Sequence, residues 1–325
     1  MKKALLGIIL AVVFIYLSLR GINFSNVGDI IANVNLPWAL LALLLILATH
    51  TLRSVRWGFI LQPIVKVDQF TLFSITSVGF LAIAVIPARL GELVRPFLVS
   101  RKKDISMSAA LGTVFLERVL DLASVLLIGM VTLLVIPLPS WFAHSVAIAG
   151  AIAVFVVAGL WFIVRKRKKF AESSFFLPAF IRKRYETKIR ELFSHFIDGL
   201  AAIKGGKRFV QVALLSLCLW SINGLSIYVL FIAFEYSLSL WAAFTLMLIL
   251  ILGIAIPTSP GFVGNWHYAC IATLTLLFHL GKDDALSFAI LYHALSMGMI
   301  LILGLAFLPA NRFSLNKLTG YYISK

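Results

Sequence analysis

Nine apolar runs divide the chain, and they limit its fold more than any other feature of the sequence. The hydrocarbon core of a bilayer offers no hydrogen-bond partners, so such runs must fold as helices that pair their own backbone groups. Composition agrees, because 61% of the residues are hydrophobic and 13% are charged, against about 45–50% and about 25% in soluble domains. The sequence therefore predicts an all-α polytopic membrane protein, with residues 1–325 as a single integral membrane domain. The runs cover residues 4–19, 38–52, 70–86, 105–136, 144–164, 209–234, 240–256, 262–280 and 285–308.

The basic residues between these runs are distributed unequally across the membrane. Of the 29 Lys and Arg residues, 24 lie in connections and termini that are predicted to share one side, and only Arg20 and Lys282 lie on the other. The remaining three, Arg89, Arg95 and Arg118, are predicted to lie at membrane depth. Cytoplasmic loops retain the positive charges of multi-pass proteins. We therefore expect both termini to be cytoplasmic, together with the connection at residues 165–208.

Two of the apolar regions are predicted to be hairpins that do not cross the membrane. The run at 70–86 leaves the cytoplasm, yet the basic residues 101–103 should already have returned to it, so the chain is expected to break at Pro87 and turn back. A similar break at residues 257–261 interrupts the region 240–280, which starts and ends on the outer side. Six full spans with two re-entrant hairpins that enter from opposite sides suggest an inverted repeat with a binding site near the midplane. Pro87 and Pro260 should then lie close together.

The connection at residues 165–208 is a basic cytoplasmic loop that contains an amphipathic pattern. Apolar residues recur there at three- and four-residue spacing, while Lys and Arg occupy the other faces. The pattern predicts an interfacial helix whose cations contact anionic headgroups. Because the flanking spans make the membrane the nearest partner, nucleic acid is not expected. The apolar positions are Ile181, Tyr185, Ile189, Leu192, Phe193, Phe196, Ile197, Leu200 and Ile203.

Two groups of ionisable residues lie at membrane depth, where charges are costly and therefore suggest function. Arg89, Glu92 and Arg95 form a stripe after Pro87, and the second group consists of Glu117, Arg118 and Asp121. Three positive and three negative charges can neutralise one another as a buried structural network. Alternatively, the guanidiniums can exchange a carboxylate for a phosphate, which they bind bidentately. The sequence alone leaves both interpretations open.

A third polar group, His50, Arg53 and Arg56, lies at the cytoplasmic end of the second span. Its default interpretation is a set of snorkelling anchors, and the alternative is a point where a lipid headgroup enters. Asn265 and His267 follow the second break and are candidates for substrate binding, whereas polar residues of other spans, such as Asn223 and His293, are interpreted as hydrogen-bonding residues. The sequence contains no HExxH, CxxC, GxSxG, Walker or GxGxxG pattern, so no metal site, cofactor or catalytic residue is predicted.

The motifs resemble those of the lysylphosphatidylglycerol synthase transmembrane-region family, which includes the flippase half of multiple peptide resistance factor and free-standing inner-membrane proteins. The family pattern has Pro, then Arg-x-Gly-Glu-x-x-Arg, then Glu-Arg-x-x-Asp, and near its end a Pro- and Gly-rich break followed by Gly-x-x-Glu. These elements correspond to Pro87, residues 89–95, residues 117–121 and residues 257–264. One position departs, because His267 stands where the family usually has Glu.

The resemblance implies a protein that handles lipids in the inner (plasma) membrane of a prokaryote. We expect a flippase or transporter of an anionic phospholipid or a polyprenyl-phosphate-linked lipid, in which Arg89, Arg95 and Arg118 contact the headgroup and Glu92, Glu117 and Asp121 are their resting counter-ions. A homo-oligomer or a glycosyltransferase partner is also compatible with the resemblance. Two alternatives stay open: a membrane-embedded enzyme with Glu117 or Asp121 as base and His267 as acid or base, and an accessory subunit.

Overall fold

The computed structural model describes residues 13–86, 91–136, 140, 191–192, 194–200, 206–255 and 260–312, together with separate positions between 144 and 162. Its regular elements in these residues are helices, and none of the described residues lies in a strand. The prediction of an all-α polytopic membrane protein is confirmed. We number the bounded helices α1 Phe24–Ala32, α2 Leu36–Leu61, α3 Gln69–Val85, α4 Val94–Lys102, α5 Met107–Val135, α6 Gly206–Ala233, α7 Leu240–Ala255, α8 Asn265–Leu276 and α9 Lys282–Phe307.

Four of these helices are long and apolar enough to cross a membrane. Helices α2, α5, α6 and α9 contain 26, 29, 28 and 26 residues, and at 1.5 Å per residue each is at least about 39 Å long. They coincide with four of the six predicted full spans. The other two, at 4–19 and 144–164, lie largely outside the described residues, although residues 13–19 are helical.

Polar side chains that cap the first turn explain where helices α3 and α5 begin. Asp68 accepts a hydrogen bond from the Thr71 backbone N–H at 2.8 Å at the start of α3, and Ser106 accepts one from Ala109 at 3.2 Å at the start of α5. Such caps satisfy backbone donors that lack a partner within the helix. The bond from Thr71 favours the ionised carboxylate and lowers the pKa of Asp68 below its ordinary value.

The first predicted hairpin corresponds to α3 and α4, which contact each other. The 17 residues of α3 and the 9 residues of α4 extend about 25 Å and about 13 Å, less than the roughly 30 Å of a hydrocarbon core. The chain returns through a 3₁₀ turn at residues 91–93. A side chain at Gly91 would overlap the backbone of Ala82 and Ile83, so glycine is required where the returning chain presses on α3. Pro87 and Arg89 lie outside the described residues.

The second predicted hairpin corresponds to α7 and α8, of 16 and 12 residues. Between them Gly261 and Gly264 have φ of +69° and +99°, left-handed values that glycine adopts without strain. Asn265 Nδ2 donates to the Gly253 carbonyl at 2.9 Å and ties the start of α8 to α7. The turn at Pro260–Phe262 contacts α3 of the first hairpin, so the second break lies against the first hairpin. The lengths and contacts agree with the predicted hairpins, and the inverted repeat stays a prediction.

The basic loop at 165–208 lies mostly outside the described residues, but the end of its predicted amphipathic helix is visible. Residues 191–192 and 194–200 are helical, and Ile197 and Leu200 are buried. Backbone meets backbone where Gly199 crosses α5 at Gly112. This segment is therefore anchored to the membrane domain through its apolar face.

Candidate functional site

A buried ion network lies between α2, α4 and α5, with Glu117 at its centre. Arg56 Nη2 lies 3.4 Å from Glu117 Oε1, and Arg95 Nη1 lies 2.8 Å from Glu117 Oε2. Arg56 Nη1 also donates to Asp121 Oδ1 at 2.6 Å and to Ser216 Oγ at 2.9 Å. Arg56, Arg95 and Glu117 are almost fully buried. The Glu117 carboxylate thus compensates the charges of two buried guanidiniums.

The helical geometry of the sequence produces this network. Glu117 and Asp121 are four residues apart, so both face α2 from α5. Arg95 lies in the first turn of α4, where its Cζ stacks 4.2 Å from the centroid of the Trp57 ring. A side chain at Gly79 would overlap the aliphatic part of Arg95, so α3 can admit Arg95 only with glycine at that position.

Arg56 requires a correction, because the sequence assigned it to a stripe of snorkelling anchors or headgroup contacts. The structure buries it completely. A snorkelling anchor keeps its charged end in water, so that part of the assignment is wrong, whereas a headgroup contact at Arg56 stays a prediction. The ion-pair partners of Arg56, Glu117 and Asp121, lie 61 and 65 residues away along the chain. Local spacing shows a cation near the end of a span but not the carboxylates that face it from another helix.

Beside the network lies a central cavity of about 180 Å³, lined by α2, α3, α6, α7, α8 and α9. Most of its wall is apolar or aromatic, including Trp266 and Tyr292. Four side chains that carry an imidazole, a guanidinium or an amide group also line it. They are His50, Arg53, Asn223 and His293.

Arg53 differs from the arginines of the ion network in its surroundings. Its Cζ lies 4.9 Å from the centroid of the Phe80 ring and 5.5 Å from that of Trp220, and it makes no ion pair with a described carboxylate. Trp220 is itself fixed, because its Nε1 donates to Asp121 Oδ1 at 3.0 Å. The ion network therefore orients one wall of the cavity that Arg53 lines.

His50, one helical turn before Arg53, has a hydrogen-bond pattern that defines its tautomer. Its Nε2 lies 3.0 Å from Ser77 Oγ. The Ser77 hydroxyl donates to the Phe73 carbonyl at 2.9 Å, so its oxygen must accept from His50. His50 therefore carries its hydrogen on Nε2, and Phe73 and Phe80 pack edge-on against its ring.

The residues after the second break meet α9 at the same cavity. The His267 and His293 ring centroids are 4.5 Å apart, and Trp266 lies 5.1 Å from His293. His293 Nε2 donates to the Gly261 carbonyl at 2.9 Å. His293 thereby ties α9 to the break between α7 and α8, a contact that joins chain positions 32 residues apart.

A second cavity, of about 330 Å³, lies between α5, the turn that precedes α4 and the helical segment at residues 194–200. Glu92 and Arg118 line it together with apolar side chains of α5 and with Phe196. Arg118 Nη1 ion-pairs with Asp121 Oδ2 at 3.4 Å, and about a third of its side chain is exposed. The described residues contain no cluster of three or more metal-binding side chains.

Residues 4–304 match the family described as lysylphosphatidylglycerol synthase TM region. The chain belongs to this family. It is also similar to two UPF0104 membrane proteins of Methanocaldococcus jannaschii. One is 27% identical over 230 residues, which are 68% of this chain and 90% of the relative, and the other is 23% identical over 319 residues, which are 93% of each. The glycosyltransferase AglD of Haloferax volcanii is 22% identical over 333 residues, 92% of this chain but 53% of AglD.

The structure brings the family motifs together in part. Glu92 and Arg95 of the first motif lie near Arg118, Glu117 and Asp121 of the second, because α4 packs on α5. Asn265 and His267 instead lie at the second break, and Arg89 is outside the described residues. The predicted site omitted Trp220, Asn223 and His293, which line the central cavity. Their only sequence signal was a polar or aromatic side chain inside an apolar run.

Proposed function

We propose that this protein moves a lipid with an anionic, phosphate-bearing headgroup across the membrane and binds that headgroup in the central cavity. One observation carries the proposal. Arg53 lines the cavity without an ion-pair partner among the described carboxylates, whereas Arg56, Arg95 and Arg118 each have one. The lipid tails would stay in the bilayer while the headgroup passes through protein.

The surroundings of Arg53 suit a phosphate. A planar guanidinium binds two phosphate oxygens at once, and the flanking rings of Phe80 and Trp220 hold it without using its N–H groups. Arg53 is partly buried and makes no direct ion pair with a described carboxylate, so an incoming anion would supply a direct ion pair that the resting protein lacks. A volume of about 180 Å³ fits a headgroup better than a drug-sized ligand, whose pockets reach about 300–1,000 Å³.

The comparisons support a lipid as the substrate class. The family is described by the transmembrane region of a protein that makes lysylphosphatidylglycerol, and one relative is named a glycosyltransferase. An anionic phospholipid and a polyprenyl-phosphate-linked lipid share the phosphate that Arg53 would bind. The glycosyltransferase activity belongs to AglD, of which this chain covers about half.

The alternative of a membrane-embedded enzyme finds less support. It needs Glu117 or Asp121 as a general base, and a base must be free to take a proton. Glu117 is within ion-pair distance of two arginines, and Asp121 is bound by Arg56 and by Trp220. We therefore propose a structural role for these two carboxylates.

Replacing Arg53 by glutamine should remove most of the stabilisation by anionic lipid. Phosphatidylglycerol added to the purified protein in a neutral detergent should raise the melting temperature, because a ligand at 100 times its Kd stabilises by about 2.7 kcal/mol. Phosphatidylcholine should raise it much less. In Arg53→Gln the difference between the two lipids should disappear, as measured by thermal unfolding followed by intrinsic fluorescence.

Arg101→Gln is the matched control, since Arg101 is an exposed cation at the end of α4, away from the cavity. It should respond to both lipids as the unmodified protein does. An equal loss of the response in both variants would indicate general attraction of lipid to surface charge and would contradict the proposed site.

We further propose that the protein lies in the plasma membrane with both termini cytoplasmic. In a Cys218→Ser background, His279→Cys should react with a membrane-impermeant maleimide added outside intact cells, and Arg101→Cys should react only after lysis. Both positions are exposed in the structure. The reverse labelling pattern would invert the orientation derived from the basic residues.

A further inference from the structure

Two histidines from different helices form a pair at the edge of the central cavity, and one of them, His293, lines it. His267 lies in the first turn of α8 and His293 in the middle of α9, and their ring centroids are 4.5 Å apart with the ring planes at 49°. His293 lines the same cavity as Arg53. Through Gly261, His293 is also bound to the break in the second hairpin.

The hydrogen bonds of the pair define where a proton can be added. A carbonyl oxygen can only accept, so His293 must keep its hydrogen on Nε2 to bind Gly261, and Nδ1 is the nitrogen left to take a proton. His267 Nδ1 is buried and has no hydrogen-bond partner among the described residues. A proton can therefore be added at either ring without breaking a bond that holds the break in place.

The charges around the pair make its protonation depend on an anion. Arg53 and His50 face the cavity from α2, Tyr292 faces it from α9, and Asn223 faces it from α6. No carboxylate is found among the described residues that line it. A protonated histidine would thus share the cavity with the Arg53 cation, which is unfavourable unless a negative charge binds between them.

Two protonated rings 4.5 Å apart would also repel each other. The pair is therefore suited to take up one additional proton, which leaves one ring charged and the other neutral. Because coupling between two binding events is reciprocal, a headgroup that favours the proton must itself bind more tightly once the proton is present.

From this geometry we propose that the His267–His293 pair takes up one proton when an anionic headgroup occupies the central cavity, so that the protein transports a proton together with each lipid. The inference rests on the proposed function and adds an energy source to it. The proton passes from water on one side to a ring nitrogen and leaves to water on the other side. No covalent bond of the lipid changes, and a pH gradient would drive lipid movement.

The test uses phosphatidylglycerol at a pH between about 5.5 and about 8. Its phosphodiester stays negatively charged over this range, so any change of affinity with pH reports protonation of the protein. The affinity of the full-length protein in detergent should rise as the pH falls, by up to about tenfold per pH unit where the pair titrates. Addition of the lipid to a weakly buffered sample should raise its pH, with uptake of up to about one proton per bound lipid.

The variants His293→Gln and His267→Gln separate the pair from the other groups in the cavity. Glutamine at 293 can still donate to the Gly261 carbonyl but cannot take a proton. Each single variant leaves one ring that can take the proton, so it should weaken the pH dependence, whereas the double variant His267→Gln/His293→Gln should bind phosphatidylglycerol with an affinity that no longer depends on pH and should take up no proton. His144→Gln is the control, because His144 is exposed and does not line the cavity, and it should keep the original pH profile.

The outcomes distinguish this inference from the proposed function. If phosphatidylglycerol binds in an Arg53-dependent way but without pH dependence or proton uptake, the proton inference is wrong and the proposed function stands. If His50→Gln abolishes the pH dependence while the double variant His267→Gln/His293→Gln retains it, the proton site is His50 and the inference is also wrong. Should the glutamine variants of the pair fail to fold, unchanged proton uptake in His50→Gln supports the pair, and no proton uptake by the unmodified protein overturns the inference.

Discussion

Glu117→Gln is expected to lower the free energy of unfolding by about 3–5 kcal/mol, the largest loss of stability that we predict for a single exchange. Removing one partner of a buried ion pair leaves the remaining charge without compensation, and Glu117 compensates two arginines at once. Glutamine has nearly the same shape, so the loss would report charge and not packing. Thermal unfolding in detergent, followed by the fluorescence of the tryptophans, measures the effect.

Two further carboxylate exchanges calibrate this result. Asp104→Asn changes an exposed residue with no ion pair among the described residues and should alter stability by less than about 0.5 kcal/mol. Asp121→Asn should have an intermediate effect, because Asp121 is slightly exposed and Glu117 still compensates Arg56. An unchanged melting temperature for Glu117→Gln would show that the network is not structural, and Arg56 and Arg95 would then become candidates for lipid binding.

The sequence predicts the class of fold because the membrane leaves few alternatives. Runs of about 20 apolar residues must become helices, and four of the predicted spans appear as α2, α5, α6 and α9. The hairpins were predicted for a different reason. Basic residues indicate the side of the membrane on which a segment ends. The segment before Pro87 starts on the same side as the basic residues 101–103, so it cannot be a simple crossing. Packing between helices has no such local signal.

The composition of the site was harder to predict because it depends on which helices meet. The i, i+4 spacing of Glu117 and Asp121 correctly places them on one face, but it does not reveal that Arg56 of α2 lies opposite. Because Arg53 and Arg56 lie three residues apart on α2, the sequence assigned them the same role. In the structure Arg53 faces a cavity, and Arg56 faces two carboxylates. The difference between them arises from the rotation of α2 against α5 and α6, which only the tertiary structure shows.

That difference leads to the second large effect, on transport. Arg53→Lys keeps the positive charge but loses the planar group that binds two phosphate oxygens and stacks between Phe80 and Trp220. Losing one charge-assisted hydrogen bond removes about 1.5–3 kcal/mol, so lipid movement in reconstituted vesicles should fall by about tenfold to a hundredfold. A fluorescent phosphatidylglycerol analogue, bleached from outside by dithionite, reports the rate.

Arg95→Lys is the matched comparison, because it makes the same exchange within the ion network. Lysine can still neutralise Glu117 but lacks the planar group that stacks on Trp57, so the melting temperature should fall while the transport rate per folded protein stays within about threefold of the original. Arg53→Lys should show the opposite combination, with a nearly unchanged melting temperature and slow transport. If Arg95→Lys instead slows transport and Arg53→Lys does not, the headgroup binds at the network, as the family motifs alone suggest, and the central cavity is not its site.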